Sequence, residues 1–593
     1  MDSKALQIID KELKFDRQGI SIIKSMMFVY AIMKSKTPRP VYIEGMVKPV
    51  AYLESLYELA EQSIPKLQRP CGKEFIEIIN QCLDDFDPNV SDSHATTVSI
   101  LWALDNLTIY DIQKYFISDT FFSTERFPEI APDSLNELAI ELLANYHKQR
   151  WLDMGCGQGN LLARLRNEVP GDPLYGIDVN ADCSLISKIH LYFEYAHYQI
   201  IQENVLFRSY EEFVDVAFAN LPFLTRLAKE SEDYNAYNKY VGDLRSVQNA
   251  DWIFADRLLQ CIKDRGIIIM TEGSLMNTVD LEQRKNIIDK NLVEGVIKLP
   301  SSIFANLSIS LSLVIFNKRK KDNTIKFLDA TQMCKCGRRL SELNVDEIAN
   351  AYRSPTESLS VDIEEIVKND YSLQVKQYVI VNGLVLKNAT ALETLVQDVF
   401  RGAQIPASVI DEESKIGFCE KTCRLISVGD IKNGTFNFAD LQIIKDSDKY
   451  DRYVLKEGDV LVSAKGTKIK TAVVSNTHFS KIIATGSLIV IRCDQEKLNP
   501  YYLKAFFDSR NGAKLLDSIQ SGTSIISINA SALMKMKISL LDKADQDGIA
   551  SSYVTTLGRF LVTSERLRKL ERSLGTVFDD YTRKSKRKKA NND

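Results

Sequence analysis

Residues 150–159 have the sequence RWLDMGCGQG, and the fold follows from this stretch. RWLDM is a short apolar run typical of a buried strand, and the glycines at 155, 157 and 159 end it in a tight turn. The next residues, NLLARLRNEV, have the apolar spacing of an amphipathic helix. A strand that enters a helix through a glycine-rich turn is typical of open α/β sheets, which bind ligands at the carboxyl ends of their strands.

Strand-like and helix-like segments alternate on both sides of this stretch, from about residue 121 to residue 330. The strand-like runs are RWLDMG, PLYGIDV, YQIIQENV, VDVAFANL, GIIIMTEG, LVEGVIKL and SLSLVIFNK. Between several of them lie amphipathic segments such as ADCSLISKIHLYFEYA and DWIFADRLLQCIK. This alternation predicts one doubly wound, mainly parallel α/β sheet with helices on both faces.

The glycine turn (residues 153–159) is a candidate ligand site. Its candidate binding residues are Asp153, Gly155, Cys156, Gly157 and Gly159. Glycines at alternate positions let a ligand approach the backbone where any Cβ would exclude it. Asp178 closes the next strand, where a carboxylate can accept hydrogen bonds from ribose hydroxyls, and Asn204 follows the third strand, where it can hold an adenine edge. The alternative is a structural turn without a ligand.

Composition and spacing exclude several classes of protein. The chain has 593 residues, 45% of them hydrophobic and 26% charged, which is typical of an ordinary globular protein of several domains. The spacing G-x-G-x-G differs from the dinucleotide motif, and no phosphate loop of the G-x-x-x-x-G-K-[ST] type is present. Scattered cysteines and five histidines predict no metal site and a reduced, cytoplasmic location without a membrane span. Because the net charge is -4, a nucleic-acid surface has to be a local patch.

The NLPF turn (residues 220–223) ends the fourth predicted strand. At this point the sequence resembles the amino-methyltransferases of DNA, whose motif here is Asn/Asp/Ser-Pro-Pro-aromatic. The resemblance is closest to the modification subunit of type I restriction systems and extends over roughly 120–390. It includes the phrases ADWIFADRLLQCIKDRGIIIMTEGSLM and LVEGVIKLPSSIFANLSISLSLVIFNK. The order of glycine turn, NLPF turn and recognition region is that of the family's gamma class.

The resemblance implies S-adenosylmethionine as cofactor and the exocyclic amine of a flipped-out adenine as substrate. Asn220 and the carbonyl of Leu221 are expected to accept the N–H groups of this amine. The catalytic residues are then Asn220, Leu221, Pro222 and Phe223, with Phe223 stacking on the base. Phe304 matches the family's second stacking aromatic.

Leu221 departs from the family pattern, which has proline at this position. Pro222 still favours extended geometry at residue 221, but the fixed φ is lost and Leu221 adds an N–H group. This departure favours one alternative, a DNA-binding protein that keeps the methylase fold as a scaffold without catalysis. A second alternative, N4 methylation of cytosine, is disfavoured by Asn220, since such enzymes more often have Ser-Pro-Pro-Trp.

The rest of the chain divides into four predicted segments. Residues 1–120 have helical spacing and no recognisable chemistry, and 331–391 look like a polar connector. Residues 392–545 resemble a target-recognition domain of type I specificity subunits, with an amphipathic helix and a basic tail over 546–593.

Three lysines of the 392–545 segment, Lys465, Lys468 and Lys470, crowd one loop and are candidate contacts to DNA phosphates, with a solvated hairpin as the alternative. The amphipathic helix packs either on its own domain or on another chain. The prediction for the whole chain is a site-specific adenine-N6 DNA methyltransferase of a restriction-modification or phage-defence system. Its predicted partners are double-stranded DNA and either a second copy or separate specificity and nuclease subunits.

Overall fold

The computed structural model divides the chain into two compact units, residues 1–375 and 376–593. Described residues are 4–15, 19–44, 46–84, 86–88, 94–117, 131–144, 149–168, 173–194, 196–206, 210–223, 225–227, 248–301, 303–304, 309–336, 341–382, 384, 386–406, 408, 422–475, 481–521 and 526–590. Each unit has its own hydrophobic cores.

Five helices form the beginning of the first unit: Lys4–Phe15, Gly19–Lys34, Pro49–Leu83, His94–Asn106 and Ile109–Phe116. The last of them begins at a capping box, in which Thr108 and Asp111 satisfy each other's backbone N–H groups. Their buried side chains share a core with Leu185, Ile186, Ile189 and Phe193 of a later helix. The N-terminal helices therefore pack on the sheet domain that follows them.

The central sheet of the first unit has nine strands. They are β1 (Trp151–Met154), β2 (Leu174–Asp178), β3 (Tyr198–Gln202), β4 (Val214–Ala219), β7 (Ile262–Thr271), β8 (Val293–Lys298), β9 (Leu311–Asn317), β10 (Thr324–Asp329) and β13 (Leu359–Asp362). Their order is β13-β10-β8-β9-β7-β4-β1-β2-β3. Two short pairs lie outside it, namely β5 (Arg226–Leu227) with β6 (Gln248–Asn249), and β11 (Cys334–Cys336) with β12 (Ser341–Leu343).

The predicted α/β sheet is confirmed, and it is mainly parallel. Five of its eight neighbouring pairs are parallel, and the three antiparallel pairs are formed by β9, which lies reversed between β7 and β8, and by β13 on the edge. The sheet extends past residue 330, because β13 pairs with β10. Residues 331–391, which were expected to be only a connector, thus contribute an edge strand.

Among the described residues, seven helices of the first unit accompany the sheet, namely Asp133–Leu143, Asn160–Glu168, Ala181–Phe193, Asp251–Cys261, Leu281–Asp289, Val345–Arg353 and Ile363–Lys368, and the helix Val375–Asn382 begins at the last residue of this unit. Alternate side chains of β7 point to opposite faces. Ile267 and Ile269 share one core with the helices Asp133–Leu143 and Val345–Arg353, whereas Ile268 and Met270 are buried outside that core.

The second unit consists of short strands and helices. The strands are β14 (Ala389–Ala391), β15 (Val396–Arg401), β16 (Thr422–Ile426), β17 (Gln442–Lys445), β18 (Val460–Ser463), β19 (Lys465–Gly466), β20 (Thr471–Val473), β21 (Ile482–Ala484), β22 (Leu488–Cys493), β23 (Gln520–Ser521), β24 (Ile526–Ile528) and β25 (Lys537–Ser539). The helices are Pro500–Asp508, Arg510–Ser518, Ala530–Lys535 and Lys543–Ala590, with 3-10 turns at Leu392–Leu395, Phe438–Asp440 and Asp448–Tyr453. The largest sheet has the order β15-β22-β18-β20.

The helix Lys543–Ala590 has 48 residues, and only its beginning is anchored in its own unit. The buried Gln546 side chain donates to the carbonyls of Lys497 and Leu541 and accepts from the Asn499 amide. Further along, Phe560, Leu567, Leu570 and Leu574 are 52–75% exposed. The beginning of the helix thus packs on its own domain, while these apolar side chains stay uncovered.

Helices among the described residues are too short or too polar to cross a membrane.

Candidate active site

A cavity of about 650 Å³ opens at the carboxyl ends of β1 to β4. It is lined by predicted residues from both turns and from the ends of β2 and β3: Asp153, Gly155, Cys156, Gly157, Asp178, Asn204, Asn220, Leu221, Pro222 and Phe223. Gly159 and Phe304, which were also predicted, are not part of the lining. The structure therefore brings the glycine turn and the NLPF turn, more than 60 residues apart in sequence, to one cavity.

Backbone hydrogen bonds fasten the glycine turn to β2. The amides of Gly155 and Cys156 both donate to the Ile177 carbonyl, at 2.8 and 3.1 Å, and the Gly157 amide donates to the Asp178 carboxylate at 2.8 Å. Gly155, Gly157 and Gly159 all have positive φ, between 50° and 81°. Side chains are strained in this region, so the chain makes the turn with glycine.

Gly155 has a second constraint, because the NLPF turn lies directly on it. A Cβ at position 155 would be 2.8 Å from Leu221 Cδ2 and 3.1 Å from the Asn220 carbonyl oxygen. A Cβ at Gly159 would instead meet the Ser187 hydroxyl at 2.5 Å, inside the protein. Gly155 thus allows contact between the two turns, whereas Gly159 allows the helix Ala181–Phe193 to approach.

Asp178 and Asn204 lie where the sequence predicted them, and both already hold the backbone. The Asp178 carboxylate accepts from the amides of Gly157 and Asn180, each at 2.8 Å. The Asn204 side-chain oxygen accepts from the Leu206 amide at 3.0 Å. A carboxylate has about four acceptor positions, so Asp178 retains capacity for hydroxyl donors from the cavity.

Asp153 is the most perturbed acid of the cavity. It is 4% exposed, and burial raises its pKa to about 8, with the nearby Asp178 carboxylate adding to the shift. A carboxyl group in this environment is favoured as an anion only beside a positive charge. The cavity therefore suits a ligand that places a cation next to Asp153.

Cys156 and His190 support the glycine turn from below. Burial raises the pKa of the Cys156 thiol well above its usual value, so the thiol stays protonated, and its Sγ donates to the Gly157 carbonyl at 4.0 Å. Burial lowers the pKa of His190 to about 4, and this side chain bonds to the backbone of Gln158. Both groups are neutral near pH 7, which indicates a structural role.

Phe223 and Phe304 lie against each other. Their ring centroids are 5.7 Å apart and the planes meet at 76°, so the contact is edge to face. Phe223 is partly exposed to the cavity, whereas Phe304 is buried. In this arrangement a planar ring can stack on Phe223 but cannot lie between the two aromatic rings.

Sequence reasoning missed several side chains of the cavity. Asn136 comes from the helix Asp133–Leu143, Phe254 from the helix Asp251–Cys261, and Ile309 from the segment before β9. Gln158 is buried with no hydrogen bond to Oε1 among the described residues. The apolar or helical surroundings of Asn136, Phe254 and Ile309 are typical of ordinary core residues, so spacing carried no signal for them. Gln158 lies within the glycine turn itself, between Gly157 and Gly159, and this position could have indicated it.

The three predicted DNA-contacting lysines lie in the second unit and differ in their environment. Lys465 and Lys468 are exposed. Lys470, in contrast, donates to the carbonyls of Val428 and Ile431 at 3.0 and 2.9 Å. Its charge is thus used to hold a neighbouring loop, and the prediction that the three lysines contact DNA phosphates stays a prediction.

Comparison with known proteins gives a family match that includes most of the sheet domain and several related proteins. Residues 128–383 match the family model described as N-6 DNA Methylase. The type I restriction enzyme MjaVII methylase subunit of Methanocaldococcus jannaschii is 27% identical over 310 residues, which are 46% of this chain and 53% of the relative. The type I restriction enzyme MpnII methylase subunit of Mycoplasma pneumoniae is 26% identical, over 38% of this chain and 48% of the relative.

The chain spans about half the length of these curated relatives. Among solved structures, the methyltransferase subunit of a type I restriction-modification system from Streptococcus thermophilus has a TM-score of 0.48 and 17% identity. That match covers 63% of this chain and 99% of the other. The family match at 128–383 includes every strand of the nine-stranded sheet and every residue that lines the cavity.

Proposed function

We propose that this chain is a site-specific DNA methyltransferase that transfers a methyl group from S-adenosylmethionine to N6 of adenine. The observation that carries the proposal is the meeting of the glycine turn and the NLPF turn in one cavity. The cavity lies entirely within the segment that matches the N-6 DNA Methylase family. Neither turn alone would distinguish a methyltransferase from another α/β protein.

The chemistry of the cavity fits S-adenosylmethionine. Its ammonium and sulfonium groups supply the positive charge that the buried Asp153 lacks, and its ribose hydroxyls match the open acceptor positions of Asp178. Gln158 offers a further buried acceptor without a partner among the described residues. When bound, the cofactor supplies an electrophilic methyl group on its sulfonium.

The NLPF turn provides the acceptors for the amine. We infer that the Asn220 side-chain oxygen and the Leu221 carbonyl each take one N–H of adenine N6. These bonds localise the lone pair on nitrogen and direct it at the methyl carbon, so positioning and charge placement lower the barrier. In the transfer, the bond from nitrogen to the methyl carbon would form as the carbon–sulfur bond breaks, the sulfur would leave as a neutral thioether, and the methylated nitrogen would lose one proton to water.

Phe223 supplies a stacking surface for the flipped-out base. Its ring faces the cavity, and the buried Phe304 supports it from the side. Phe304 is therefore assigned to orient Phe223, in place of the sandwich partner that the resemblance implied. A base in a duplex has to leave the stack before it reaches this depth.

We assign recognition of a target sequence to residues 392–545, which resemble the target-recognition domain of type I specificity subunits. The order of the motifs along the chain supports the gamma class of methyltransferases. Lys465 and Lys468 are exposed and suited to phosphate contacts. The helix Lys543–Ala590 has uncovered apolar side chains, and these support the proposal that it binds a partner chain, either a second copy or a separate specificity or nuclease subunit.

The test is a methylation assay with the purified full chain, labelled S-adenosylmethionine and DNA, followed by mass spectrometry of the nucleosides. N6-methyladenine is expected from the wild type, and Asn220→Ala should abolish it while keeping cofactor affinity within about threefold. Detection of N4-methylcytosine instead would show that the substrate is cytosine and not adenine. Cofactor binding without methylation of any tested DNA would favour the scaffold alternative.

A further inference from the structure

Thr225 follows the NLPF turn and bonds back to it. Its hydroxyl donates to the Pro222 carbonyl at 3.0 Å. Its own carbonyl accepts from the Ala250 amide at 2.8 Å, and Ala250 is fully buried at the beginning of the helix Asp251–Cys261. Thr225 thus joins the turn to a buried point of the fold.

The anchor behind Thr225 is well supported. Directly after it, β5 pairs with β6, so that Arg226 lies opposite Asn249. The backbone and side-chain amides of Asn249 donate to Asp280, and the buried Asp280 also accepts from the Asn277 side chain. Movement of residue 225 would disturb this whole set of bonds, so Thr225 is a firm attachment for the turn.

The NLPF turn needs such an attachment because it lacks its usual first proline. Leucine at position 221 leaves φ free, which the pyrrolidine ring would fix near −65°. On one side, the Leu221 side chain rests on Gly155. On the other side, the Thr225 hydroxyl donates a hydrogen bond that restrains the Pro222 carbonyl.

We propose that the Thr225 hydroxyl is a positioning group for the NLPF turn and compensates for the leucine at position 221. It holds the peptide plane after Pro222, and thereby keeps the Leu221 carbonyl and the Phe223 ring aimed into the cavity. This inference rests on the proposed function for its catalytic consequence. Its structural content, a turn held by one hydroxyl, stands independently of the reaction.

The experiment compares Thr225→Val, which removes the hydroxyl at nearly constant shape, with Thr225→Ser, which retains it. Thr394→Val is the matched control, because the Thr394 hydroxyl also bonds to the carbonyl three residues earlier, in the other unit. For each full-length variant, kcat, KM for S-adenosylmethionine and the amide hydrogen exchange of residues 218–227 are measured. Leu221→Pro is then combined with Thr225→Val.

Thr225→Val should lower kcat by about ten- to a hundredfold, because small displacements of a positioning group have effects of this size, with KM within about threefold of wild type. Exchange in 218–227 should rise in this variant alone. Thr225→Ser should have kcat and exchange near the wild-type values. In the double variant, Leu221→Pro should recover most of the kcat that Thr225→Val loses.

Unchanged exchange in Thr225→Val would overturn the inference, whether or not the protein methylates DNA. Faster exchange with unchanged kcat would overturn the positioning role. If exchange of residues 218–227 is faster in Thr225→Val than in wild type but the wild type methylates no DNA, the proposed function is refuted. The attachment of the turn by Thr225 is then still established.

Discussion

The glycine turn and the NLPF turn line the same cavity but are held in different ways. The glycine turn is bonded through its own backbone to β2, and the His190 side chain bonds to the backbone of Gln158. Among the described residues, the NLPF turn is held by the Thr225 hydroxyl and by the contact of Leu221 with Gly155. The comparison teaches that a binding surface can be fixed mainly through its own backbone groups, whereas the NLPF turn, which we propose aims two acceptors, depends on contacts of individual side chains.

The largest expected effect comes from alanine substitutions at two glycines, one affecting the NLPF turn and the other the binding surface of the glycine turn. Gly155→Ala should lower kcat by about a hundredfold, because its Cβ would displace Leu221 and the Asn220 carbonyl. Gly157→Ala adds a Cβ in open space within the cavity and should mainly weaken binding of S-adenosylmethionine. Steady-state kinetics and calorimetry on both variants measure the split.

Combining Gly155→Ala with Leu221→Ala removes the clash with the leucine side chain but keeps the close approach to the Asn220 carbonyl, so it should recover part of kcat. Equal losses of kcat in the two glycine variants would show that the turns do not depend on each other at this point.

Asp178→Ala should weaken binding of S-adenosylmethionine by about ten- to a hundredfold. Hydrogen bonds to a charged acceptor are worth roughly 1.5–3 kcal/mol, and the variant also frees the Gly157 amide. Asp182→Ala is the control, since this exposed carboxylate lies at the beginning of the adjacent helix. Calorimetry should show wild-type affinity for the control, and an unaffected Asp178→Ala would exclude the carboxylate from the site.

Asp153 predicts a pH dependence of both stability and binding. Its folded pKa of about 8 lies above the unfolded value, so the folded protein retains a proton that the unfolded chain loses near pH 4. Stability should therefore fall between pH 4 and 8 relative to Asp153→Asn, as measured by denaturant unfolding. If the difference in unfolding free energy between the two proteins were constant over this range, the pKa of Asp153 would not be raised by burial.

Binding has the opposite sign, because the ionised carboxylate is the form that pairs with a cation. Affinity of the wild type for S-adenosylmethionine should rise about 25-fold from pH 6 to pH 7.5, which follows from titration of one group with a pKa near 8. In Asp153→Asn the affinity should be lower and should lack this slope.

The smallest effect concerns the second unit. Replacing Lys465 and Lys468 by glutamine should reduce the slope of log affinity against log salt by about 1.8 on any duplex. Lys470→Gln should leave the slope unchanged and lower the thermal midpoint, because its bonds to Val428 and Ile431 are lost. A salt titration that gives the same slope for the double variant and wild type would move the DNA surface elsewhere.

Local patterns were enough to predict the elements that carry the chemistry. Strand ends at Asp153, Asp178, Asn204 and Asn220 could be predicted, because apolar runs followed by polar or glycine turns mark the carboxyl ends of parallel strands. Since these ends meet at one edge, their convergence on a cavity followed from the fold class.

Contacts between distant positions could not be predicted. Nothing in the spacing indicates that Leu221 rests on Gly155, that Lys470 binds two carbonyls, or that Phe304 is buried behind Phe223. The strand Leu359–Asp362 was missed because four residues of mixed polarity carry no periodic signal, and pairing with β10 decides their conformation. Whether residues 392–545 read DNA stays a prediction.

The order of the strands also has a consequence for biosynthesis. Strand β4, buried almost throughout, pairs with β7, which ends about 50 residues later, and the edge strand β13 is about 210 residues beyond the start of β1. At a synthesis rate of about 5–20 residues per second, a nascent chain waits roughly 3–10 s for β7 and 10–40 s for the complete sheet. Until β7 has been made, the edge of β4 that will pair with it has no partner strand, and unpaired strand edges of this kind are prone to aggregation. This interval begins when the NLPF turn has just been made.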